Sequence, residues 1–272
     1  MDLELDLNGT TVHVEGEGPE TMVMVHGWPD TYRLWDAQVA AFRDRYRCVR
    51  FTLPGFDARD ERRLHSLEEI EAVYKKVIER VSPGAPVILL VHDWGAVFGY
   101  RFLRNHPHLV SRLIGVDIGD AGSKRHLQSM SLKAKLFVVS YQLWLALAWR
   151  LGPWIGDKMT RVLVRMLPCP ADPMTVFSKM NYPYWIQWTG AAGGYRGTKT
   201  FEPPCPMLFI YGERKPAMFH SQEWVDGLAA RPYSAVRALP TGHWVMADAP
   251  DPFNDAVRQW LQNAGPFSSS NC

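Results

Sequence analysis

The chain has 272 residues, 47% of them hydrophobic, which suffices for one large α/β domain or a core with an insertion and excludes wholesale disorder. A net charge of +2, without a basic cluster interleaved with aromatics, gives nucleic-acid binding no support. The four cysteines (Cys48, Cys169, Cys205, Cys272) are far apart and lack a metal-ligand spacing, so free thiols in a reducing, cytoplasmic setting are expected.

The N-terminus, Met1-Asp2-Leu3-Glu4, has no apolar h-region and predicts no signal peptide. Leu3 to Leu7 and Thr11 to Glu15 alternate around Asn8-Gly9 and predict a hairpin. Met22 to Val25 is a short apolar strand leading into the turn-rich His26-Gly27-Trp28-Pro29-Asp30. Helical periodicity covers Leu34 to Arg45, and a strand covers Arg47 to Thr52. Ser66 with Glu69 forms a capping box for a helix to about Arg80. Strands are predicted at Pro86 to Val91 and Arg112 to Asp117, with a helix from Ala96 between them. This alternation implies a mostly parallel sheet with helices on both faces.

From about Gly119 to Thr200 the pattern changes to helical or irregular segments rich in Trp, Tyr, Met and Pro. The apolar run Leu136 to Trp149 is broken by Ser140, Tyr141 and Gln142 and is too short to span a bilayer. Its amphipathicity assigns it to internal packing, with a membrane or partner surface as the alternative. Strands resume at Pro206 to Tyr211 and Ala235 to Leu239. Asp251-Pro252 then caps a closing helix to about Gln262, and a polar tail follows from Pro266. The expected organisation is a core of residues 1–118 and 201–272 with a helical cap at 119–200.

Val91-His92-Asp93-Trp94-Gly95 joins an apolar strand to a helix. Such a corner lifts one side chain above the end of a sheet, and here that residue is Asp93. A helix N-cap is the plain alternative for an Asp in this place. A carboxylate nucleophile attacking an sp3 carbon leaves an alkyl ester on the enzyme, which water must hydrolyse. His243, after the last strand, is suited to activate that water, and a second carboxylate should orient it. The tetrahedral intermediate needs two N–H donors, expected from Trp94 and from Trp28 in the His26-Gly27-Trp28-Pro29 loop.

Together these segments resemble the epoxide hydrolases of the α/β-hydrolase superfamily, from Thr21 to Leu261. His26-Gly27-Trp28-Pro29 is similar to the family's oxyanion motif, His92-Asp93-Trp94-Gly95 to its elbow, and Gly242-His243-Trp244 to the segment around its base. The resemblance implies an α/β-hydrolase fold with an inserted helical cap. It further implies ring-opening phenols at Tyr141, in Tyr141-Gln142-Leu143-Trp144, and at Tyr195, in Gly193-Gly194-Tyr195-Arg196; Tyr182 and Tyr184 are in reserve. An epoxide's leaving oxygen stays attached as a developing alkoxide and needs such donors, whereas a halide does not.

The chain departs from the family at the acid, where Glu213-Arg214-Lys215 has Lys in place of the usual Asp. Asp117 matches the alternative acid position, with Glu213 as the alternate. Val91 replaces the small residue usual two positions before the nucleophile. A haloalkane dehalogenase would share Asp93, Asp117 and His243 but usually has Asn at the place of Trp28. Trp94 and Val97 argue against fluoroacetate, and Asp93 itself argues against a serine esterase. A non-catalytic ligand-binding protein on the same fold is the rival of another class. The expected partner is a small apolar epoxide opened to a diol without metal or organic cofactor, by a monomer or homodimer.

Overall fold

The computed structural model describes residues 2–7, 9–195 and 201–263. Its strands are β1 (Leu3–Asp6), β2 (Thr11–Glu15), β3 (Glu20–Val25), β4 (Tyr46–Phe51), β5 (Val87–His92), β6 (Val110–Val116), β7 (Met207–Gly212) and β8 (Ala235–Leu239). They form one sheet in the order β1-β2-β4-β3-β5-β6-β7-β8. The β1–β2 and β2–β4 pairs are antiparallel, and all other neighbours are parallel. The central strands β3, β5 and β6 are nearly continuous apolar runs because both their faces are covered, as parallel strands require.

The helices are α1 (Asp36–Phe42), α2 (Leu67–Val81), α3 (Trp94–Asn105), α4 (Lys124–Ser129), α5 (Leu132–Met166), α6 (Tyr182–Thr189), α7 (Gln222–Ala229), α8 (Val245–Asp248) and α9 (Pro250–Asn263). On one face of the sheet α1, α8 and α9 pack over Met24, Ile88, Leu90 and Ile114. On the other, α2, α3 and α7 pack over Val23, Leu89 and Phe209. In α2 the capping box is formed as expected, and Leu67, Ile70, Tyr74, Val77, Ile78 and Val81 make a buried stripe at helical spacing.

Three expectations are adjusted. Helix α1 is shorter than Leu34 to Arg45, because a 3-10 turn at Tyr32–Trp35 precedes it. Helix α9 starts at Pro250, so Asp251 lies in its first turn instead of capping it. Helix α7 was not expected; Ser221 caps it, and it buries Trp224, Val225 and Leu228. Asn8 of the first turn, Arg196 and the tail from Pro266 lie outside the described residues. Cys48 and Cys169 carry free thiols, and Cys272 is also outside the described residues.

Between β6 and β7 the described residues contain helices and turns but no strand. The long helix α5 is not straight. Gly152 has φ 72° and ψ −168°, and Pro153 follows it, so the helix folds back on itself. The Trp144 Nε1–H donates to the Met159 carbonyl at 3.0 Å. A Cβ on Gly156 would come within 1.9 Å of the Ala148 carbonyl oxygen. The result is a tight helical hairpin with its tip near 151–154. The assignment of Leu136 to Trp149 to internal packing holds for one face only: Leu145, Ala146 and Ala148 are buried, while Leu136, Leu143 and Leu147 are exposed.

Candidate active site

Strand β5 ends at His92 and α3 begins at Trp94, so Asp93 occupies the corner between them. Its backbone has φ 50° and ψ −124°, a conformation that costs an L-residue about 1–3 kcal/mol and persists only where the surroundings impose it. They do so here. A Cβ on Gly95 would lie 2.3 Å from the His26 carbonyl oxygen, and the Tyr74 hydroxyl donates to the Gly95 carbonyl at 2.9 Å. The bulk of Val91 is taken up by Gly99 on α3, where a Cβ would meet Val91 Cγ1 at 2.9 Å. The large residue before the elbow is thus matched by a missing side chain one helical turn beyond it.

The Trp28 backbone N–H donates to Asp93 Oδ1 at 2.7 Å, and the Trp94 N–H also bonds this carboxylate. The other carboxylate oxygen, Oδ2, faces His243 Nε2 at 3.4 Å. Burial alone would raise Asp93; bonding and charge from His243, with His92 and the Trp94 N–H, hold it below its ordinary value.

Asp117 follows β6 with φ 65° and is fully buried. Its Oδ2 accepts from His243 Nδ1 at 2.5 Å, while Oδ1 accepts from the Gly212 N–H at 3.0 Å and from the Lys215 ammonium. Burial opposes its charge, but His243 and then Lys215 draw it down to about 2. Glu213, the alternate acid, is exposed. Lys215, where the resemblance leads one to expect Asp, instead turns inward and neutralises one oxygen of Asp117.

His243 lies in the loop between β8 and α8. Burial works against its cation, but the hydrogen bond and charge of Asp117, followed by those of Asp93, raise it to about 9. Beneath it, His92 is lowered to about 3 by burial and then by His243. It is therefore neutral, and its Nε2–H donates to the His243 carbonyl at 3.1 Å. Asp30, buried beside the site, accepts from Trp244 Nε1–H at 2.8 Å and is raised by burial to about 7.

The loop carrying the Trp28 donor is braced from below. His26 Nε2 accepts from the Leu53 N–H at 2.9 Å, so its Nδ1–H donates to the Gly27 carbonyl at 2.8 Å. His26 and Pro29 are both buried within this loop. The Trp28 indole N–H donates to Asn181 Oδ1 at 2.7 Å, and Asn181 in turn donates to Thr160 Oγ1 at 2.7 Å.

Aromatic rings roof the carboxylate. Tyr184 meets Trp28, Trp94 and Tyr141 edge-on at 5.9, 5.2 and 6.1 Å between centroids. Tyr195 lies against Trp94 at 5.4 Å and Phe98 at 6.2 Å. Tyr141 and Tyr195 are half-buried, whereas Tyr184 is buried. Burial, joined by the negative charge of Asp93, pushes the phenols of Tyr141 and Tyr184 upward, so both keep their protons at neutral pH. Tyr182 packs on Phe56 and His65, and burial and then the Tyr182 phenol push that of Tyr195 upward.

The structure thus brings together Asp93, Asp117, His243, Trp28 and Trp94 under a roof that includes Tyr141 and Tyr195. Sequence reasoning noted Lys215 only as a departure from the family and missed Asn181, whose partners are 153 and 21 residues away.

The sequence matches the alpha/beta hydrolase family over residues 22–256. The chain belongs to that family. Among curated proteins, this alpha/beta hydrolase is 23% identical to "Epoxide hydrolase 1" of Caenorhabditis elegans over 88% of its own length and 64% of that protein's. It is 22% identical to "Epoxide hydrolase 4" of Homo sapiens, covering 90% of this chain and 73% of that one. The worm relative is therefore longer, and the present chain spans less than two thirds of it. A crystal structure of a Bacillus megaterium epoxide hydrolase bound to an inhibitor superposes with a TM-score of 0.74, at 22% identity, covering 96% of this chain and 100% of that one. At that identity the likeness establishes the fold alone.

Proposed function

We propose that this alpha/beta hydrolase is an epoxide hydrolase that opens an apolar epoxide to a vicinal diol through an ester on Asp93. The reading rests above all on one observation: Asp93 accepts from the Trp28 N–H at Oδ1, accepts also from the Trp94 N–H, and turns Oδ2 toward His243, itself bonded to Asp117. On this reading residues 119–200 are the cap, and no metal or organic cofactor takes part.

Asp93 Oδ2 attacks one epoxide carbon, the carbon–oxygen bond breaks, and the freed oxygen takes a proton from Tyr141 or Tyr195. We assign the donors to these two phenols on the resemblance of their segments, with Tyr184, whose phenol like that of Tyr141 is raised by the charge of Asp93, as the reserve donor. Water then adds to Asp93 Cγ and gives a proton to His243. The charge on Oδ1 is held by the Trp28 and Trp94 N–H groups. Collapse breaks the Cγ–Oδ2 bond: the departing alkoxide takes the second proton of the added water and leaves as the diol, Asp93 regains its carboxylate, and the proton taken up by His243 makes good the one the phenol gave up.

The electrostatics suit this order of events. Before reaction the two carboxylates keep His243 protonated at neutral pH. Esterification removes the charge of Asp93, so the imidazole loses part of what held its proton. Lys215 limits what Asp117 retains for it. The histidine's proton passes to the phenolate left by ring opening, and the neutral imidazole is then a base at the stage when water must be activated.

The nearest rival, a haloalkane dehalogenase, would use an indole N–H to hold the departing halide. The Trp28 indole N–H is already given to Asn181. Mass spectrometry of the His243→Gln protein, exposed to apolar epoxides and to haloalkanes, separates the readings. We expect an adduct on Asp93 that retains the epoxide oxygen. An adduct from haloalkanes alone would establish a dehalogenase. No adduct from either class, in folded protein, would point to a ligand-binding role.

A further inference from the structure

The outer face of the α5 hairpin has no counterpart in the chemistry above. Leu136, Leu143 and Leu147 follow one another along the first arm at helical spacing, and all are exposed. The stripe continues into the turn, where Leu151, Trp154 and Ile155 also face outward; Trp154 is 86% exposed. Scattered exposed apolar residues are ordinary, but a continuous band ending in a projecting tryptophan marks a contact surface.

The charges around the band are one-sided. Lys133, Arg150, Lys158 and Arg165 are exposed, and none forms an ion pair among the described residues. The single acidic residue of α5, Asp157, is turned inward. It accepts from the Ser178 backbone N–H at 2.7 Å and from the Ser178 hydroxyl at 2.6 Å. No helix among the described residues is long and apolar enough to cross a membrane.

We propose that this face docks on an anionic lipid surface, with the Leu151–Trp154–Ile155 tip entering the headgroup region and the unpaired bases meeting lipid phosphates and carboxylates. A helix that presents apolar side chains and tryptophan beside basic residues lies stably in such an interface. A second copy of the chain fits less well, since pairing this face with itself would bring unpaired cations together. The inference does not depend on the reaction proposed for the site.

The test is sedimentation with phosphatidylcholine vesicles and with equimolar phosphatidylcholine–phosphatidylserine vesicles. Binding is expected to the anionic vesicles and to weaken as salt rises. Leu151→Ser with Trp154→Ser should weaken it at least about tenfold. Arg150→Gln with Lys158→Gln should weaken it about twenty- to thirtyfold, roughly fivefold per charge. Thermal melts by circular dichroism check that both variants remain folded. Failure of the parent protein to bind anionic vesicles at low salt overturns the inference, as does binding that survives the tip substitutions. Self-association dispersed by Trp154→Ser would assign the face to a second copy and also overturn it.

Discussion

At the level of single residues, the site is governed by how three charges share one histidine. Asp93→Asn removes the proposed nucleophile and should lower kcat by about four orders of magnitude with little change in fold, read by steady-state kinetics and circular dichroism. Lys215 is the less obvious member. Its ammonium takes up one oxygen of Asp117, leaving less negative charge to stabilise the imidazolium. Lys215→Met should therefore raise the His243 pKa in the ester intermediate. The acid limb of ester hydrolysis, followed by single-turnover decay of the adduct against pH, should then move upward by about one unit. An unmoved limb would confine Lys215 to a packing role. The sequence displayed Lys215 in an unexpected place but could not show which way it turned, because its contact with Asp117 spans 98 residues.

At the level of elements, the corner and the hairpin are held by close backbone approach, and the two differ in how plainly the sequence shows them. An apolar strand, a lone Asp and then Gly and Ala leading into a helix is a local pattern, so the corner at Asp93 is legible. His243 is legible from its place after the last strand. The match between Val91 and Gly99 is not, since it depends on how α3 crosses β5. Nor is α7, whose eight residues offer too short a run for periodicity to stand out. Gly152-Pro153 does punctuate α5, but that it folds the helix back follows from packing. Gly156→Ala should force the two arms apart and cost about 1–3 kcal/mol, measured as a lowered urea midpoint. Ser66→Ala, at the cap of α2, should cost about 1 kcal/mol and leave turnover unchanged.

At the level of the whole molecule, stability should carry the signature of the buried charges. Asp117 falls from 3.8 to about 2, so its contribution is present above its unfolded pKa and is lost as pH falls toward 2. His243 rises from 6.5 to about 9, so its contribution is present below 6.5 and is lost as pH climbs through 9. The melting temperature should therefore be highest between about pH 4 and 6.5 on account of this pair. In His243→Gln the alkaline decline should flatten, which thermal melts across pH would read. The sheet and its covering helices, apart from the short α7 and α8, were predictable because β-α alternation is written in local apolar runs. The docking of the segment that carries Asn181 onto the rest of the chain was not, because long-range contacts such as that of Trp28 with Asn181 leave no periodic trace.

That last contact has a wider consequence. The residue lending one backbone donor to Asp93 is roped by its indole through Asn181 and Thr160 to the Gly156 carbonyl on the second arm of α5. The segment that forms the roof and the loop that donates to Asp93 are therefore tied together. A segment transplanted from a relative without an amide at this place would leave a buried indole N–H unsatisfied in the loop that donates to Asp93. On the proposed reading, altering substrate choice is thus a matter of changing rings within the existing roof rather than exchanging the roof itself.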